Sequence, residues 1–123
     1  MNTFPVMTIK TTLYEQTPEI IEYLEKRMQT LEKYLPDGET AIVCDVELEK
    51  LTEQQNGSVY RTEVNLKIGG TLLRAEATGE TMEEAIDRVK QDMKTKLVRT
   101  QGKRMSLIRR GAKRLKDMMR FGG

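Results

Sequence analysis

The sequence contains no histidine and no tryptophan, and it has one cysteine, three prolines and two phenylalanines. Histidine is the commonest general base and metal ligand near neutral pH, so its absence argues against most acid–base and metal-dependent enzymes. A single cysteine, Cys44, cannot form an intramolecular disulfide, and nothing indicates an oxidising compartment. There is no glycine-rich phosphate loop. We therefore expect no catalytic residue, no metal, no cofactor and no small-molecule substrate.

Long apolar runs are also missing. No run approaches the roughly 18 apolar residues that span a bilayer, and the amino terminus lacks the charged-then-apolar layout of a signal peptide. Hydrophobic residues make up 37% of the 123 residues and charged residues 33%, which indicates a modest core under a heavily charged surface. The sequence predicts one compact domain with a short appendage, in a cytoplasmic protein that does not bind membranes.

Charge is distributed very unevenly along the chain, although the net charge is only +2. Residues 1–80 carry 8 basic and 14 acidic residues, whereas residues 81–123 carry 13 basic and 5 acidic residues. From Arg88 onward, only Asp92 and Asp117 interrupt the basic residues. This asymmetry is typical of proteins that bind a polyanion, but a solvated basic tail without a partner would produce it as well.

Four segments alternate between apolar and polar residues, as half-buried strands do. They are residues 6–10, 41–50, 60–68 and 71–78. In the second segment Cys44 lies on the apolar side, which predicts a buried structural residue instead of a reactive thiol. Gly69-Gly70 predicts a two-residue hairpin turn between the last two strands. Further turns are predicted at residues 36–38 and 54–58.

Two helices are indicated by their caps and their apolar stripes. Thr17 before Pro18 marks the start of the first helix, and Thr81 with Glu84 forms a capping box for the second. The stripes comprise Ile21, Leu24, Met28, Leu31 and Leu35 in the first helix and Met82, Ile86, Val89, Met93 and Leu97 in the second. Gly102 interrupts the second pattern, and a basic amphipathic tail follows whose glycines make a helix marginal.

This order of elements, β-α-β-β-β-α, predicts a two-layer α+β fold with a four-stranded mixed sheet. The first strand must return to the sheet through a right-handed helical crossover, and the last three strands form a meander. Because those strands have one apolar and one charged face, both helices should cover the same face and leave the other wet. We expect a domain over residues 1–103 and a basic C-terminal helical tail over residues 104–123.

The charged face of the predicted sheet mixes both signs. Its acidic residues are Asp45, Glu47, Glu63 and Glu76, and its basic residues are Arg61, Lys67 and Arg74. Cross-strand ion pairs explain this mixture better than an acid–base site does.

Basic residues of the second helix divide between its two flanks on a helical wheel. One flank carries Arg88, Lys96, Arg99 and Lys103, interrupted by Asp92. Lys90 and Lys94 lie on the opposite flank beside Glu83 and Asp87, where ordinary helix ion pairs would account for them. The first helix contributes Lys26, Arg27 and Lys33 among several glutamates.

The tail contributes a further series of basic residues. It includes Arg104, Arg109, Arg110, Lys113 and Arg114. A basic amphipathic segment binds a membrane surface, a partner groove or nucleic acid, and its attachment to an already basic helix favours RNA. Because aromatic residues are scarce, we expect contacts with the RNA backbone and its shape instead of base stacking.

Several motifs resemble the hibernation promoting factor and ribosome-associated inhibitor family, over a stretch from about Val6 to Lys103. Leu31-Glu32-Lys33-Tyr34-Leu35 is similar to the family's Leu-Glu-Lys-Tyr-aromatic pattern at the end of its first helix. Leu73-Arg74-Ala75-Glu76-Ala77 matches the last strand, and Ala85-Ile86-Asp87 matches the start of the second helix. The ordered set is more specific than any one of the motifs.

The resemblance implies a fold akin to double-stranded-RNA-binding domains. It also implies binding to rRNA in the mRNA–tRNA channel of the small ribosomal subunit, where the protein would block translation sterically during ribosome hibernation. The rRNA contacts would come from Lys26, Arg27, Lys33, Arg88, Lys96, Arg99 and Lys103. The family often has Lys-Leu where this chain has Asp92-Met93, and it tends to a basic residue at the position of Gln101. We expect Lys94 or the tail to compensate.

The chain looks like a short form of that family, without the separate dimerisation domain of the long members, and we expect a monomer away from the ribosome. Three other hypotheses stay open from the residues alone. They are a duplex-RNA-binding module of the same fold that acts away from the ribosome, an enzyme, and a peripheral membrane protein that uses the tail.

Overall fold

The computed structural model describes residues 4–36, 41–52 and 59–121, with side chains as far as Gln101. Its strands are β1 (Met7–Thr12), β2 (Ile42–Lys50), β3 (Tyr60–Ile68) and β4 (Thr71–Gly79). Its helices are α1 (Pro18–Gln29), a short 3-10 turn (Glu32–Tyr34) and α2 (Met82–Phe121). The turns expected from residues 37–38 and 54–58 lie outside the described residues.

The four strands form one sheet in the order β1-β2-β3-β4. β1 runs parallel to β2, whereas β2, β3 and β4 are antiparallel neighbours. The sheet is therefore mixed, with α1 in the connection between its parallel strands, as the sequence predicts. In the hairpin between β3 and β4, Ile68 pairs with Thr71, and Gly69 takes a φ of 58°, which glycine adopts without steric cost.

Both helices cover the same face of the sheet, and the core lies between these two layers. The fully buried side chains include Leu24, Met28, Leu48, Val64, Leu66, Ile86, Val89, Met93 and Leu97. The predicted stripe of α2 is confirmed. That of α1 begins at Ile20, which is 7% exposed, and not at Ile21, which is only half-buried. Ile20 lies four residues before Leu24 and so shares its face of the helix.

The predicted N-caps are confirmed. The Thr17 hydroxyl accepts a hydrogen bond from the amide of Ile20 at 3.2 Å, and the Thr81 hydroxyl accepts one from the amide of Glu84 at 3.1 Å. α1 ends earlier than its stripe suggests, because the Thr30 hydroxyl donates to the carbonyl of Arg27 at 2.6 Å where the helix stops. The chain then continues into the 3-10 turn.

The interruption predicted at Gly102 is wrong, because α2 runs without a break for 40 residues. A glycine inside a helix costs only about 1 kcal/mol relative to alanine, and strong helix formers surround it here. The boundary expected between residues 1–103 and 104–123 therefore falls inside one helix. No helix in the described part of the chain is long and apolar enough to cross a membrane.

Cys44 is a buried structural residue, as its place on the apolar side of β2 predicts. Its side chain is fully buried, and burial followed by the charge of Asp45 raises the pKa of the thiol to about 12. Almost no thiolate exists at neutral pH under these conditions, so the thiol should be inert.

We expect a thiol reagent to label Cys44 in the native protein far more slowly than in the urea-unfolded chain. Cys44→Ala should lower the free energy of unfolding by about 1–2 kcal/mol through the cavity it leaves, as measured by urea titration. Equal labelling rates in the native and unfolded states would show that the site is open.

Candidate nucleic-acid interface

The two flanks of α2 face different parts of the molecule. α2 packs against β4 and β3 through its apolar stripe and also contacts α1 and the 3-10 turn. One flank therefore lies along α1, and we call the space between them the interhelical groove, lined by Arg27, Lys33, Tyr34, Lys94 and Gln101. The other flank overhangs the free edge of β4 and carries Arg88 and Lys96. The basic residues that the family resemblance assigns to rRNA binding are thus divided between two surfaces.

Arg27 and Asp87 join the two helices at one end of the interhelical groove. The Arg27 Nε donates to Asp87 Oδ1 at 2.9 Å, and the Tyr23 hydroxyl donates to Asp87 Oδ2 at 2.8 Å. The guanidinium also lies 4.5 Å from the centroid of the Tyr23 ring. Asp87 therefore binds α1 and is not the partner of Lys90 or Lys94, so the helix ion pairs predicted for these lysines are wrong.

Two lysines lie near the ring of Tyr34 at the other end of the groove. The ammonium of Lys33 lies 5.3 Å from the centroid of the Tyr34 ring, and that of Lys94 lies 5.7 Å from it. Within the described residues neither lysine forms an ion pair. The Gln101 side chain donates to the Tyr34 carbonyl at 2.9 Å and fastens the 3-10 turn to α2. Two cations from different elements thus approach the same ring, and neither is neutralised by an acidic residue of the described part of the chain.

Lys94 is a candidate binding residue that the helical wheel assigned to an ordinary ion pair and that the family resemblance offered as a compensating contact. The sequence does contain a signal for this role. Asp87, Lys94 and Gln101 are spaced by seven residues and therefore lie on the same flank of α2. The packing of α1 on that flank could not be read from the wheel. Gln101, which the family resemblance marks as a departure from a basic residue, supports the groove by holding the backbone of Tyr34.

Cations on the β4 flank bind the protein itself. Arg88 donates to the carbonyl of Thr78 at 2.8 Å and pairs with the carboxylate of Glu84. Lys96 donates to the carbonyl of Arg74 and lies 3.2 Å from the Asp92 carboxylate. On α1, Lys26 pairs with Glu22 at 2.9 Å. Four of the six predicted binding residues whose side chains the structure describes therefore already have acidic partners, namely Lys26, Arg27, Arg88 and Lys96.

The structure describes the side chain of Arg99 but only the backbone of the remaining predicted residues. Arg99 is exposed and has no ion pair within the described part of the chain. The backbone of Lys103, Arg104, Arg109, Arg110, Lys113 and Arg114 continues α2, but their side chains lie outside the described residues. At 1.5 Å per residue, α2 is roughly 60 Å long, so these positions extend far along one axis.

Arg61 organises the open face of the sheet. Its guanidinium donates to Glu47 and Glu49 at 3.1 Å, to Glu76 at 3.0 Å and also to Glu63. The pKa of Arg61 is raised, with the hydrogen bond to Glu76 as the largest cause. The expected cross-strand ion pairs are confirmed. Among the described residues, no group of three or more potential ligands could hold a metal ion.

The carboxylates around Arg61 make the stability of the sheet depend on pH. Hydrogen bonds lower the pKa values of three of these carboxylates below the ordinary value of 4.5. The largest cause is a hydrogen bond from Thr12 for Glu47, from Asn65 for Glu63 and from Arg61 for Glu76. A folded-state pKa below the unfolded value stabilises the fold above the unfolded pKa, and this stabilisation is lost as the pH falls through the folded pKa. The affected window therefore lies below about pH 4.5.

We expect Arg61→Met to lower the free energy of unfolding by about 2 kcal/mol at neutral pH, because four clustered glutamates lose the cation they share and only the more exposed Arg74 and Lys10 remain beside them. The difference from the wild type should shrink as the pH falls below 4.5, since the glutamates then become neutral. Urea titrations over this range measure both effects. A difference that stays constant with pH would show that Arg61 acts by packing alone.

Two solved structures share this fold. The N-terminal domain of Protein Y from Thermus thermophilus is 25% identical with a TM-score of 0.62, and the match covers 81% of this chain and 99% of that chain. A ribosomal subunit interface protein from Coxiella burnetii is 15% identical with a TM-score of 0.62, and the match covers 78% of this chain and 97% of that chain. A comparison with curated proteins finds no match.

The fold shared with these structures, together with a family match over most of the chain, indicates a ribosome-associated modulation factor of the two-layer α+β type. A family described as sigma 54 modulation protein / S30EA ribosomal protein matches residues 7–105, and the chain belongs to this family. The resemblance to hibernation promoting factor and ribosome-associated inhibitor proteins is thereby confirmed. The members of this family are modulation factors and not enzymes.

Proposed function

We propose that this protein binds the small ribosomal subunit in the channel used by mRNA and tRNA, in the cytoplasm, and blocks translation by occupying that channel. The observation that carries the proposal is the interhelical groove, where Lys33 and Lys94 approach one tyrosine ring and have no acidic partner among the described residues. Membership of a ribosome-associated family supports rRNA as the polyanion that these cations would bind. The mechanism is steric exclusion and requires no chemical step.

The groove should contribute more to rRNA affinity than the β4 flank does. A phosphate that binds Lys33 or Lys94 displaces water and breaks no ion pair within the described residues. A phosphate that binds Arg88 or Lys96 must compete with Glu84 or Asp92, so part of its gain is offset. The exposed pairs are weak, at about 0–1 kcal/mol each, so these residues can still join the interface.

The Tyr34 ring gives the two lysines a defined place before rRNA binds. Cation–π attraction restrains two flexible side chains, which reduces the conformational entropy lost on binding. Lys26, Arg27 and Arg99 add positive charge around this centre. The basic positions of α2 beyond Gln101, including Lys103, Arg104, Arg109, Arg110, Lys113 and Arg114, would continue the phosphate contacts along the channel. A single copy of the chain suffices for this mode of binding.

We expect Lys33→Gln with Lys94→Gln to weaken binding to purified small subunits about tenfold, from the loss of two exposed charge contacts. The slope of the logarithm of affinity against the logarithm of salt concentration should become shallower by about two, since two counterion-releasing contacts are lost. Lys50→Gln with Lys67→Gln is the matched control. It removes the same charge from exposed lysines of the sheet and should bind almost like the wild type.

The possible outcomes distinguish a failure of ribosome binding from a failure of the role assigned to the groove. Wild-type protein that does not co-sediment with small subunits, or whose affinity ignores salt, would reject ribosome binding through phosphate contacts. Wild-type binding with equal affinities of the two double variants would keep the ribosome and remove the groove from the interface. Equal competition by free duplex RNA and by small subunits would favour the alternative, a general duplex-RNA-binding module of this fold.

Truncation after Gly102 tests the contribution of the basic end of α2. All buried core residues in the described part of the chain precede this position, with Leu97 as the last. We therefore expect the melting temperature to stay nearly constant while ribosome affinity falls, most visibly at higher salt. A large drop in melting temperature with unchanged affinity would show that this segment belongs to the fold and not to the interface.

A further inference from the structure

β4 is an edge strand with hydrogen-bonding groups directed away from the sheet. The Gly69 amide donates to the Ala41 carbonyl, just before β2, at 2.9 Å. Because the backbone groups of successive residues point to opposite sides of a strand, the odd-numbered residues of β3 bond to β2 and its even-numbered residues bond to β4. By the register of β3 and β4, the residues of β4 that remain for another partner are Leu72, Arg74, Glu76 and Thr78. Their amides and carbonyls form a free edge of the kind that pairs with another strand.

Two side chains of α2 occupy this edge. The Arg88 guanidinium donates to the Thr78 carbonyl at 2.8 Å, and the Lys96 ammonium donates to the Arg74 carbonyl. Both carbonyls are among the outward groups of β4, so half of its four outward acceptors are covered. Arg88 and Lys96 lie eight residues apart on one flank of the helix, a spacing that matches the four-residue interval between Thr78 and Arg74 along the strand.

We propose that β4 is an interaction surface for a second copy of this chain, and that Arg88 and Lys96 keep it closed. This inference does not depend on ribosome binding. The two cations occupy carbonyls that a partner strand would need as acceptors.

The sequence of β4 is self-complementary in the register that its free groups permit. Antiparallel pairing of two copies about Ala75 sets Arg74 opposite Glu76 of the second copy, and Leu72 opposite Thr78. All four outward residues of each copy then exchange hydrogen bonds. The Arg74 and Glu76 side chains are 60% and 47% exposed, and Leu72 is 62% exposed, so a partner can reach all three. Arg74 pairs with Glu63 and Glu76 pairs with Arg61 within the sheet, so the contacts with a second copy would be shared with these pairs. The pairing produces two cross-strand ion pairs and covers an exposed leucine.

The test is the oligomeric state of the full chain by sedimentation velocity over a wide concentration range. We expect Arg88→Met with Lys96→Met, which keeps the apolar stems, to show a concentration-dependent dimer where the wild type is monomeric. Lys90→Met with Lys94→Met removes the same charge from the opposite flank of α2 and should remain monomeric. Adding Thr78→Pro to the first double variant should restore the monomer, because it removes an outward amide and no bond to β3.

Each contrary result rejects the proposal. Arg88→Met with Lys96→Met that is folded by circular dichroism and stays monomeric would show that the two side chains do not control the edge. Dimerisation of the Lys90→Met with Lys94→Met control would assign the effect to net charge. A dimer that persists with Thr78→Pro would place the contact at another surface, such as the β1 edge.

Discussion

The single apolar face of the sheet is the constraint on which the rest of the structure depends. It must be covered, and α2 covers most of it by burying Ile86, Val89, Met93 and Leu97. These four residues fix the rotation of α2 about its axis, because a change of one residue would turn every side chain by about 100°. Once this rotation is set, Lys94 must face α1 and Arg88 must face the edge of β4.

The same constraint explains why similar cations have different roles. A cation on the β4 flank meets the unpaired carbonyls of an edge strand and binds them. A cation on the other flank meets α1 and the 3-10 turn, where Asp87 is already held by Arg27 and the Tyr34 ring is the available partner. Within the described residues, the cations at the edge therefore have acidic partners and the lysines beside Tyr34 have none, although both flanks have similar basic sequences.

Local patterns were enough to predict much of the fold. Alternation predicts β3 with its observed bounds, because each residue of a half-buried strand shows which face it occupies. Thr17 and Thr81 predict the helix starts, because capping depends on residues within one turn. The end of α1 at Gln29 and the continuity of α2 through Gly102 were missed, since each depends on a small balance between local bonds and helix propensity.

The site was harder to predict than the fold because it depends on contacts between distant residues. Arg27 and Asp87 are 60 positions apart, and no spacing rule joins them. The role of Gln101 required the position of the Tyr34 carbonyl, 67 residues earlier in the chain. The family resemblance placed candidate binding cations on both helices and offered Lys94 only as a compensating contact, whereas the distance to Tyr34 makes Lys94 a central candidate.

The most direct measurement of the central claim is a cryo-electron microscopy reconstruction of the small ribosomal subunit with this protein bound. We expect density for the two-layer domain in the mRNA–tRNA channel, with the interhelical groove against the rRNA backbone and the Lys33 and Lys94 ammonium groups beside phosphates. The open face of the sheet should point away from that backbone. Density outside the channel, or rRNA contacts made by the sheet face around Arg61, would contradict the account.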